Sequence, residues 1–300
     1  MSHLSRFLLL CHYTKIVWRQ RGLKKSRIFF LRSLMYYFIV VRWLEFIDGF
    51  YKKYGFTDAP WSLAGLPVRA YVSTSFSIKE RLELLINNYQ IMAQFFSDEV
   101  MKKILTGEPI TLSKLIAKDE KSYNIILANL ERYWREGGLT IYLTDEENEI
   151  ITTLTFNFGK NSNRKIFIII GGLQGTPLGK SNSGKSKIVA ITRGLRGLRP
   201  KYALLDCCYS FAKSFAIDLV IGVSNKNHVF AKQEGKINAS YNEFWQEIDG
   251  KKIADGNFQL PAELPKRDFS EVPQKKRKDW LARQEYLKKL NEDISAFLKL

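Results

Sequence analysis

The strongest constraint on the fold is a change in hydrophobic spacing near residue 138. The stretch GLTIYLTDEENEIITTLTFNFGKNSNRKIFIIIGGLQG alternates apolar and polar residues and is rich in Thr, Ile, Tyr and Phe. This period of two predicts strands over residues 139–144, 150–158 and 165–171. Because only short acidic and polar turns separate these strands, the sequence predicts an antiparallel meander.

The residues before this stretch have helical spacing. In SIKERLELLINNYQIMAQFF, apolar side chains recur every three or four positions, and Ser77 with Glu80 gives the signature of a capping box. Further helices are predicted near residues 97–105 and 121–134. The chain before the meander is therefore predicted to be helical.

Helices and a strand are predicted after the meander. A helix near residues 187–196 precedes one that begins at Pro200, because proline is tolerated at the first helical position. A short strand at LVIGVS and a charged C-terminal helix follow. The predicted fold class is α+β, with an N-terminal helical region followed by a mixed, mostly antiparallel sheet with flanking helices. The predicted domains are a helical basic region over 1–135, an α/β domain over 136–264 and a C-terminal helix over 265–300.

The charge of the chain is unusual for its size. The 300 residues carry a net charge of +17, and residues 1–60 hold 11 Lys and Arg against 3 Asp and Glu. Such a surplus attracts polyanions, including acidic lipid headgroups and nucleic acid. A helix with basic and apolar-aromatic sides suits a membrane surface. The alternative is a helical hairpin whose apolar stripe packs on the rest of the protein.

Other patterns narrow the functional classes. The three cysteines form no spaced disulfide framework, which predicts a reducing compartment. The three histidines lack the spacing of a structural zinc site. The most apolar stretch, residues 28–47, contains two arginines and a glutamate, so it is interrupted too often to span a membrane. The sequence therefore predicts a cytoplasmic protein, peripheral at most at the inner membrane.

Residues 179–186, GKSNSGKS, match the phosphate-binding loop pattern G-x-x-x-x-G-K-[ST]. In nucleotide-binding proteins this loop joins the end of a strand to a helix whose amides face the phosphates. Here the preceding strand is predicted to end near Gly171, well before Gly179, and its neighbours are predicted to be antiparallel. We therefore favour a simple charged loop over a nucleotide site.

An arginine-rich turn, TRGLRGLRPK, lies at residues 192–201. Guanidinium groups and the amides of a helix N-terminus can together hold a pyrophosphate. The candidate anion-binding residues are Gln174, Arg193, Arg196, Arg199 and Lys201. The order of strand, loop, helix and strand over 165–224 is similar to that of GNAT-type acyl-CoA N-acyltransferases, so the mixed sheet and the α/β domain over 136–264 are predicted to be GNAT-like. This likeness implies acyl-CoA or acyl-carrier protein as the donor, whereas the alternative is a solvated basic loop.

Two residues are candidate proton acceptors. His228 follows the last predicted strand and has the ring chemistry of a general base. Its alternative role is to fix the loop through hydrogen bonds to the backbone. Glu247 is a second candidate acid or base. A nucleophile elbow, G-x-S-x-G, is absent from the sequence, so hydrolase chemistry has no support.

Five short motifs occur together in the C-terminal half: GGLQG at 171–175, GLRPK at 197–201, VSNKNHV at 223–229, FW at 244–245 and DGNFQLP at 255–261. In this order and spacing the sequence resembles the VirK/YbjX family of Gram-negative bacterial proteins, over about residues 25–265. The resemblance implies a part in virulence, envelope integrity or resistance to antimicrobial peptides. It implies a biological context but no reaction.

These observations leave two main hypotheses for function. The first is an acyltransferase at the membrane surface, with the arginine-rich turn holding the donor and His228 or Glu247 taking the proton. The second is a non-catalytic basic adaptor that binds anionic lipid or an envelope protein. Nucleic-acid binding is disfavoured because no helix-turn-helix, RNP or OB signature is present.

Overall fold

The computed structural model describes residues 2–175, 182–233, 240–266 and 268–299, and its N-terminal third is helical. The helices there are α1 (His3–Met35), α2 (Tyr37–Lys53), α3 (Trp61–Ala64), α4 (Ile78–Phe95) and α5 (Asp98–Thr106). The predicted capping box is confirmed. The Ser77 hydroxyl accepts a hydrogen bond from the Glu80 amide, and the Glu80 carboxylate accepts one from the Ser77 amide. This reciprocal pair explains why α4 begins at Ile78.

The first helix is bent at Gly22, whose φ of 78° is a conformation that residues with a Cβ rarely adopt. The two halves of α1 lie against each other. Ser26 Oγ donates a hydrogen bond to the Thr14 carbonyl across the bend (2.9 Å). The rings of Phe7 and Phe30 meet edge to face, with centroids 6.5 Å apart. We call this element the α1 hairpin; it packs on α2 and α3.

The sheet is open, mixed and mostly antiparallel. Its strands are β1 (Ile110–Ile116), β2 (Ser122–Ala128), β3 (Leu139–Thr144), β4 (Ile150–Lys160), β5 (Ile166–Gly175), β6 (Leu219–Gly222), β7 (Lys251–Lys252) and β8 (Phe258–Gln259). Within the described residues they form one sheet in the order β1-β2-β3-β4-β5-β6-β8-β7. Neighbours are antiparallel except for β5 and β6, which are parallel. The predicted α+β class is confirmed at this level.

The predicted meander is confirmed as β3, β4 and β5, but the helix predicted over 121–134 is wrong. Residues 122–128 form β2, and a 3-10 turn covers Glu131–Tyr133. The segment SYNIILA is rich in aromatic and β-branched residues and is buried on both sides of its C-terminal half, which hides the alternation of a strand. The sheet therefore includes two strands before residue 136. The division into three domains stays a prediction.

The parallel pairing of β5 and β6 requires a crossover connection. Two helices, α6 (Asn182–Gly194) and α7 (Pro200–Ser214), lie between these strands in the chain. Pro200 is the first residue of α7, as predicted. The remaining helices are α8 (Tyr241–Glu247) and α9 (Arg277–Phe297).

The centre of the core is β4, in which residues 151–159 are all buried. Because successive side chains of a strand point to opposite faces, both faces of β4 must be covered. Helices α4 and α7 both pack on this strand. The Phe158 ring lies 5.5 Å from that of Phe95 in α4 and 6.0 Å from that of Phe215, just after α7. One side chain thus contacts both helices, so the ends of α4 and α7 meet on the same face of β4, where the Phe95 and Phe215 rings stack with centroids 3.7 Å apart.

Candidate functional site

Three of the predicted anion-binding residues line one cavity of about 570 Å³. It lies between α6, α7 and α8, and we call it the α6–α8 cleft. Arg193, Arg199 and Lys201 contribute cations, and Glu247 contributes a carboxylate. The other lining residues are Thr152, Gly175, Ile188, Val189, Thr192, Pro200, Ser240, Glu243 and Phe244. The cleft thus combines basic groups with apolar walls.

The charges in the α6–α8 cleft are partly balanced. The Arg199 guanidinium donates two hydrogen bonds to the Glu247 carboxylate, at 3.1 and 2.6 Å. These bonds lower the pKa of Glu247, so its carboxylate is ionised and paired. Burial lowers the pKa of Lys201, whose ammonium lies 6.0 Å from the centre of the Phe244 ring. Glu247 is therefore a weaker proton acceptor than an unpaired glutamate.

Arg196 is placed outside this cleft. Its guanidinium pairs with Asp279 of α9 at 3.1 Å, and it lines a separate cavity of about 400 Å³ next to α9. Arg193 borders both cavities. The five predicted residues consequently do not share one hollow.

Gln174 and His228 meet instead at a buried carboxylate, that of Glu136. Gln174 Nε2 donates to Glu136 Oε1 at 2.6 Å, and His228 Nε2 lies 3.6 Å from the same oxygen. The Tyr241 ring stacks on the His228 ring, with centroids 5.2 Å apart. We call these four residues the Glu136 centre. Glu136, His228 and Tyr241 are almost completely buried, whereas Gln174 is half-buried.

Two glycines of the GGLQG motif make room for Glu136. Gly171 is the extra residue of a β-bulge, because Thr155 pairs with Gly172 and Phe156 pairs with Ile170. A Cβ at Gly171 would overlap the Glu136 carbonyl oxygen, and one at Gly172 would overlap its carboxylate. The motif therefore accommodates Glu136 through its glycines and contacts it through Gln174.

The protonation states of the Glu136 centre are shifted by burial. Loss of solvent raises the pKa of Glu136 to about 7, against an opposing effect from the Gln174 hydrogen bond. Burial lowers the pKa of His228 to about 4. His228 Nδ1 accepts a hydrogen bond from the Phe230 amide at 3.2 Å, so the neutral ring carries its proton on Nε2, towards Glu136. This bond is the backbone role foreseen as the alternative for His228.

The backbone beside this centre is strained. Val72 has a φ of 57°, a conformation that is rare for a β-branched residue, and its amide donates to the Arg135 carbonyl at 2.8 Å. The next residue, Ser73, forms an isolated bridge with His228. Asn227 donates to Asn257 at 3.1 Å and thereby ties the two asparagine-containing motifs together. Buried polar groups from distant segments thus converge on one place.

Glu136 and Tyr241 were not predicted from the sequence, although the structure places both in contact with residues of the sequence motifs. The sequence does contain two pairs of glycines, in WREGGL and in GGLQG, and glycine permits the close approach of another segment. These pairs could have indicated that the two segments meet. Gln174 and Tyr241 adjoin Gly175 and Ser240, which line the α6–α8 cleft. The Glu136 centre and the cleft therefore adjoin along β5 and α8. Assignment of roles to these residues stays a prediction.

The phosphate-loop match lies partly outside the described residues, since 179–181 are not among them. The predicted strand end near Gly171 is wrong, because β5 continues to Gly175, and α6 begins at Asn182. The strand runs past the bulge at Gly171, which adds one residue without ending the pairing with β4. Among the described residues, no group of three or more His, Cys, Asp and Glu could hold a metal ion. Over the same residues, every helix is too short or too polar to cross a membrane.

Comparison with known proteins agrees with the motifs. Residues 18–296 match the family described as "Protein of unknown function (DUF535)". The chain is 28% identical to "Uncharacterized protein YbjX" of Escherichia coli over 312 residues, covering 100% of this chain and 91% of the relative. It is 24% identical to an "Uncharacterized protein" of Haemophilus influenzae over 221 residues, covering 73% of this chain and 72% of that one. No solved structure matches. The chain therefore belongs to the DUF535 family, which is the VirK/YbjX family that its motifs predicted.

Proposed function

We propose that this protein binds anionic membranes through the α1 hairpin and works at that surface. The observation that carries the proposal is the distribution of exposed apolar side chains. Among the described residues, eleven of the fifteen exposed large hydrophobic side chains lie between residues 4 and 38. They are Leu4, Phe7, Leu8, Trp18, Leu23, Ile28, Leu31, Leu34, Met35, Tyr36 and Phe38. Exposed apolar side chains concentrated in one element in this way are typical of a region that contacts a membrane or a partner.

The charge of the hairpin favours an anionic membrane as the partner. Residues 15–35 contain seven Lys and Arg and no Asp or Glu. Trp18 and Leu23 are half-exposed on either side of the bend, between cationic neighbours. Aromatic residues prefer the membrane interface, and basic residues are attracted to acidic headgroups. The two kinds of side chain therefore support the same contact.

The expected energies are sufficient for reversible binding. Each Lys or Arg near an acidic membrane contributes about 1 kcal/mol, and a large apolar side chain that leaves water completely contributes about 1.5–3 kcal/mol. Partial insertion of only a few of these side chains would therefore hold the protein at the surface. The electrostatic part is screened by salt, whereas the apolar part is not.

Flotation with lipid vesicles tests this proposal. We expect the protein to float with vesicles containing phosphatidylglycerol and to stay behind with pure phosphatidylcholine. The variant Leu31→Ser/Met35→Ser removes two of the most exposed apolar side chains and should weaken partitioning on the order of 100-fold. The matched control is Ile116→Ser/Leu281→Ser, which removes two exposed apolar side chains elsewhere.

The outcomes separate a membrane from other partners. Equal loss of flotation in both double variants, or no flotation of the unaltered chain, would reject membrane binding. A dimer in light scattering that the Leu31→Ser/Met35→Ser variant dissociates would instead assign the apolar patch to a second copy. A cytoplasmic location at the inner membrane, and a part in envelope integrity, virulence or antimicrobial-peptide resistance, belong to the same proposal through the family resemblance.

The α6–α8 cleft favours a second function, the binding of a phosphate-bearing acyl donor. Three cations and apolar walls suit the two parts of acyl-CoA or of the acylated phosphopantetheine of an acyl-carrier protein. A GNAT-like arrangement of residues 136–264 is part of this proposal, and the helix pair between parallel β5 and β6 supports it.

Acyl transfer in the cleft would follow ordinary thioester chemistry. A substrate amine or hydroxyl attacks the thioester carbonyl, the carbon–sulfur bond breaks, and the thiol leaves with the proton that the nucleophile loses. In this proposal Glu247, which lines the cleft, takes that proton from the nucleophile and passes it to the leaving thiolate once its pairing with Arg199 has loosened. His228 lies in the Glu136 centre and does not line the cleft.

Calorimetry with acyl-CoA and with acyl-carrier protein tests the second function. We expect saturable binding that falls at least 10-fold in Arg193→Gln/Lys201→Gln, because each lost charge-assisted hydrogen bond contributes about 1.5–3 kcal/mol. The control Lys251→Gln/Lys252→Gln removes two exposed cations of β7 that do not line the cleft. Absence of binding to either donor by the folded protein would reject the enzymatic reading.

A further inference from the structure

A second cationic cavity, of about 520 Å³, lies beside the α1 hairpin. It is lined by Lys25, Ile28, Arg32, Val68, Arg69, Ala70 and Arg135. The residues come from three separate segments: the second half of α1, the loop after α3, and the turn before β3. We call this cavity the Arg69 pocket.

The cations of the Arg69 pocket are not neutralised. No Asp or Glu lines the cavity. Across the described ranges, none of its four cations is within ion-pair distance of a carboxylate. The nearest acidic influence is that of Glu136 on its neighbour Arg135, and burial raises the pKa of that glutamate to about 7. Four positive charges therefore meet with little compensation.

These cations also repel one another. Loss of solvent lowers the pKa of Arg69, and the nearby Arg32 and Arg21 lower it further. The pKa of Arg135 is lowered by loss of solvent and then by Arg69. An anion in the pocket would relieve this repulsion, because opposite charges favour the protonated guanidinium groups.

Part of the pocket is preorganised. Arg135 Nε donates to the Ala70 carbonyl at 3.2 Å, and Arg135 Nη2 donates to the Val229 carbonyl at 3.1 Å. The Arg135 guanidinium also lies 4.7 Å from the centre of the Phe230 ring. Arg81 Nη1 donates to the Arg69 carbonyl at 3.1 Å and fixes the backbone of the central arginine. A ligand would therefore lose less entropy than on a set of mobile surface lysines.

We propose that the Arg69 pocket binds the phosphate monoester of an anionic lipid headgroup. A phosphate monoester carries between one and two negative charges near neutral pH and three acceptor oxygens, which match several guanidinium forks. This proposal deepens the membrane contact proposed above and rests on it.

The lipid source is favoured by what surrounds the pocket. Ile28 forms part of the wall and is itself exposed. Leu31 and Met35 follow it at helical spacing on the same half of α1 and are the next exposed apolar side chains along that side. An acyl chain attached to a phosphate in the pocket can thus lie along apolar side chains. A free phosphate ester has no acyl chain, so these apolar side chains would add nothing to its binding.

Titration with dispersed lipid tests the site separately from the membrane. The probes are dihexanoyl phosphatidic acid below its micelle concentration, dihexanoyl phosphatidylcholine and glycerol 3-phosphate, each measured by calorimetry. We expect saturable binding of the phosphatidic acid, at least 10-fold weaker binding of glycerol 3-phosphate and no binding of the phosphatidylcholine. Lys25→Gln/Arg32→Gln should weaken binding of the phosphatidic acid at least 10-fold.

The control variant removes the same amount of charge from the same helix, but its two residues do not line the pocket. Lys24→Gln/Arg27→Gln removes two cations from the same half of α1, and all four side chains are exposed, so both variants should fold. Equal loss in the two variants, or no saturable binding of phosphatidic acid, overturns the site. Equal affinity for glycerol 3-phosphate and for the phosphatidic acid would show that the acyl chains add nothing, and would reject a lipid as the source of the phosphate. Vesicle flotation of the unaltered chain without saturable binding of the dispersed lipid would reject the pocket and leave membrane binding standing.

Discussion

The Glu136 centre and the α1 hairpin hold charged groups under opposite conditions. In the centre, one carboxylate and one imidazole are enclosed by the sheet, and burial shifts both towards their neutral forms. On the hairpin, seven cations lie in one stretch without an acidic residue, and most of their side chains are exposed. The first arrangement costs folding free energy, whereas the second leaves charge available to a ligand. Substitutions in the Glu136 centre should therefore change the free energy of unfolding, whereas substitutions on the α1 hairpin should change membrane binding.

The largest effect on stability is expected at Gly171. In Gly171→Ala the new methyl group overlaps the Glu136 carbonyl oxygen, so the backbone of β5 or of the turn before β3 must move. We expect a loss of roughly 3–5 kcal/mol in the free energy of unfolding, measured with guanidinium chloride. Gly175→Ala is the matched control on the same strand, because its Cβ would meet nothing within 4 Å. A small effect at Gly171 would contradict the close packing of the centre.

A change with pH is expected from Glu136. Its pKa is raised to about 7 from an ordinary value of 4.5, so its protonated form stabilises the fold below about pH 4.5, and this contribution is lost as the pH rises through 7. The variant Glu136→Gln does not ionise and can still accept from Gln174. Its stability relative to the unaltered chain should therefore rise by about 3 kcal/mol between pH 4.5 and pH 8. Parallel stability curves for the two proteins would contradict this assignment.

The opposite slope is expected from His228. Its pKa is lowered to about 4 from 6.5, so its contribution to stability is present above about pH 6.5 and is lost as the pH falls through 4. His228→Gln should lose the ring stacking on Tyr241 at all pH values. Relative to the unaltered chain, however, it should gain on the order of 2–3 kcal/mol between pH 7 and pH 4. A constant difference in the unfolding free energy over this range would show that His228 does not titrate as its burial implies.

The smallest effect on stability is expected on the hairpin. Leu31→Ser/Met35→Ser alters exposed side chains, so the free energy of unfolding should change by less than about 1 kcal/mol in total, although vesicle binding falls. Thermal unfolding monitored by circular dichroism measures this directly. A destabilisation comparable to that of Gly171→Ala would remove the distinction between a packed centre and an available surface.

Local patterns predicted the elements of the fold more fully than their contacts. The alternation over 139–158, the capping box at Ser77 and the proline at the start of α7 each depend on neighbouring residues, and all are confirmed. The helix predicted over 121–134 fails because β2 is buried on both faces of its second half, which removes the period-two signal.

The candidate sites were harder to predict because the fold assembles them from distant segments. The arginine-rich turn was identified since its cations are adjacent in sequence, yet Arg196 and Gln174 lie apart from the α6–α8 cleft. The Arg69 pocket was missed because its cations come from three stretches, each unremarkable alone. Glu136 was not predicted because its contacts are also distant in sequence. A single acidic residue carries no local pattern that would indicate close packing against two glycines of another strand.

The bulge at Gly171 has a consequence for divergence within the family. Gly171 adds a residue without changing the face on which the following side chains lie, because Thr155 pairs with Gly172 and Phe156 pairs with Ile170. Since a strand alternates its side chains between faces, adding or removing one residue between Gly172 and Gln174 would turn Gln174 away from the carboxylate that it contacts. Side chains elsewhere along β5 can change in kind, but the number of residues between the bulge and the glutamine is fixed by geometry. Relatives that retain the carboxylate should therefore tolerate substitutions in this strand far better than insertions or deletions.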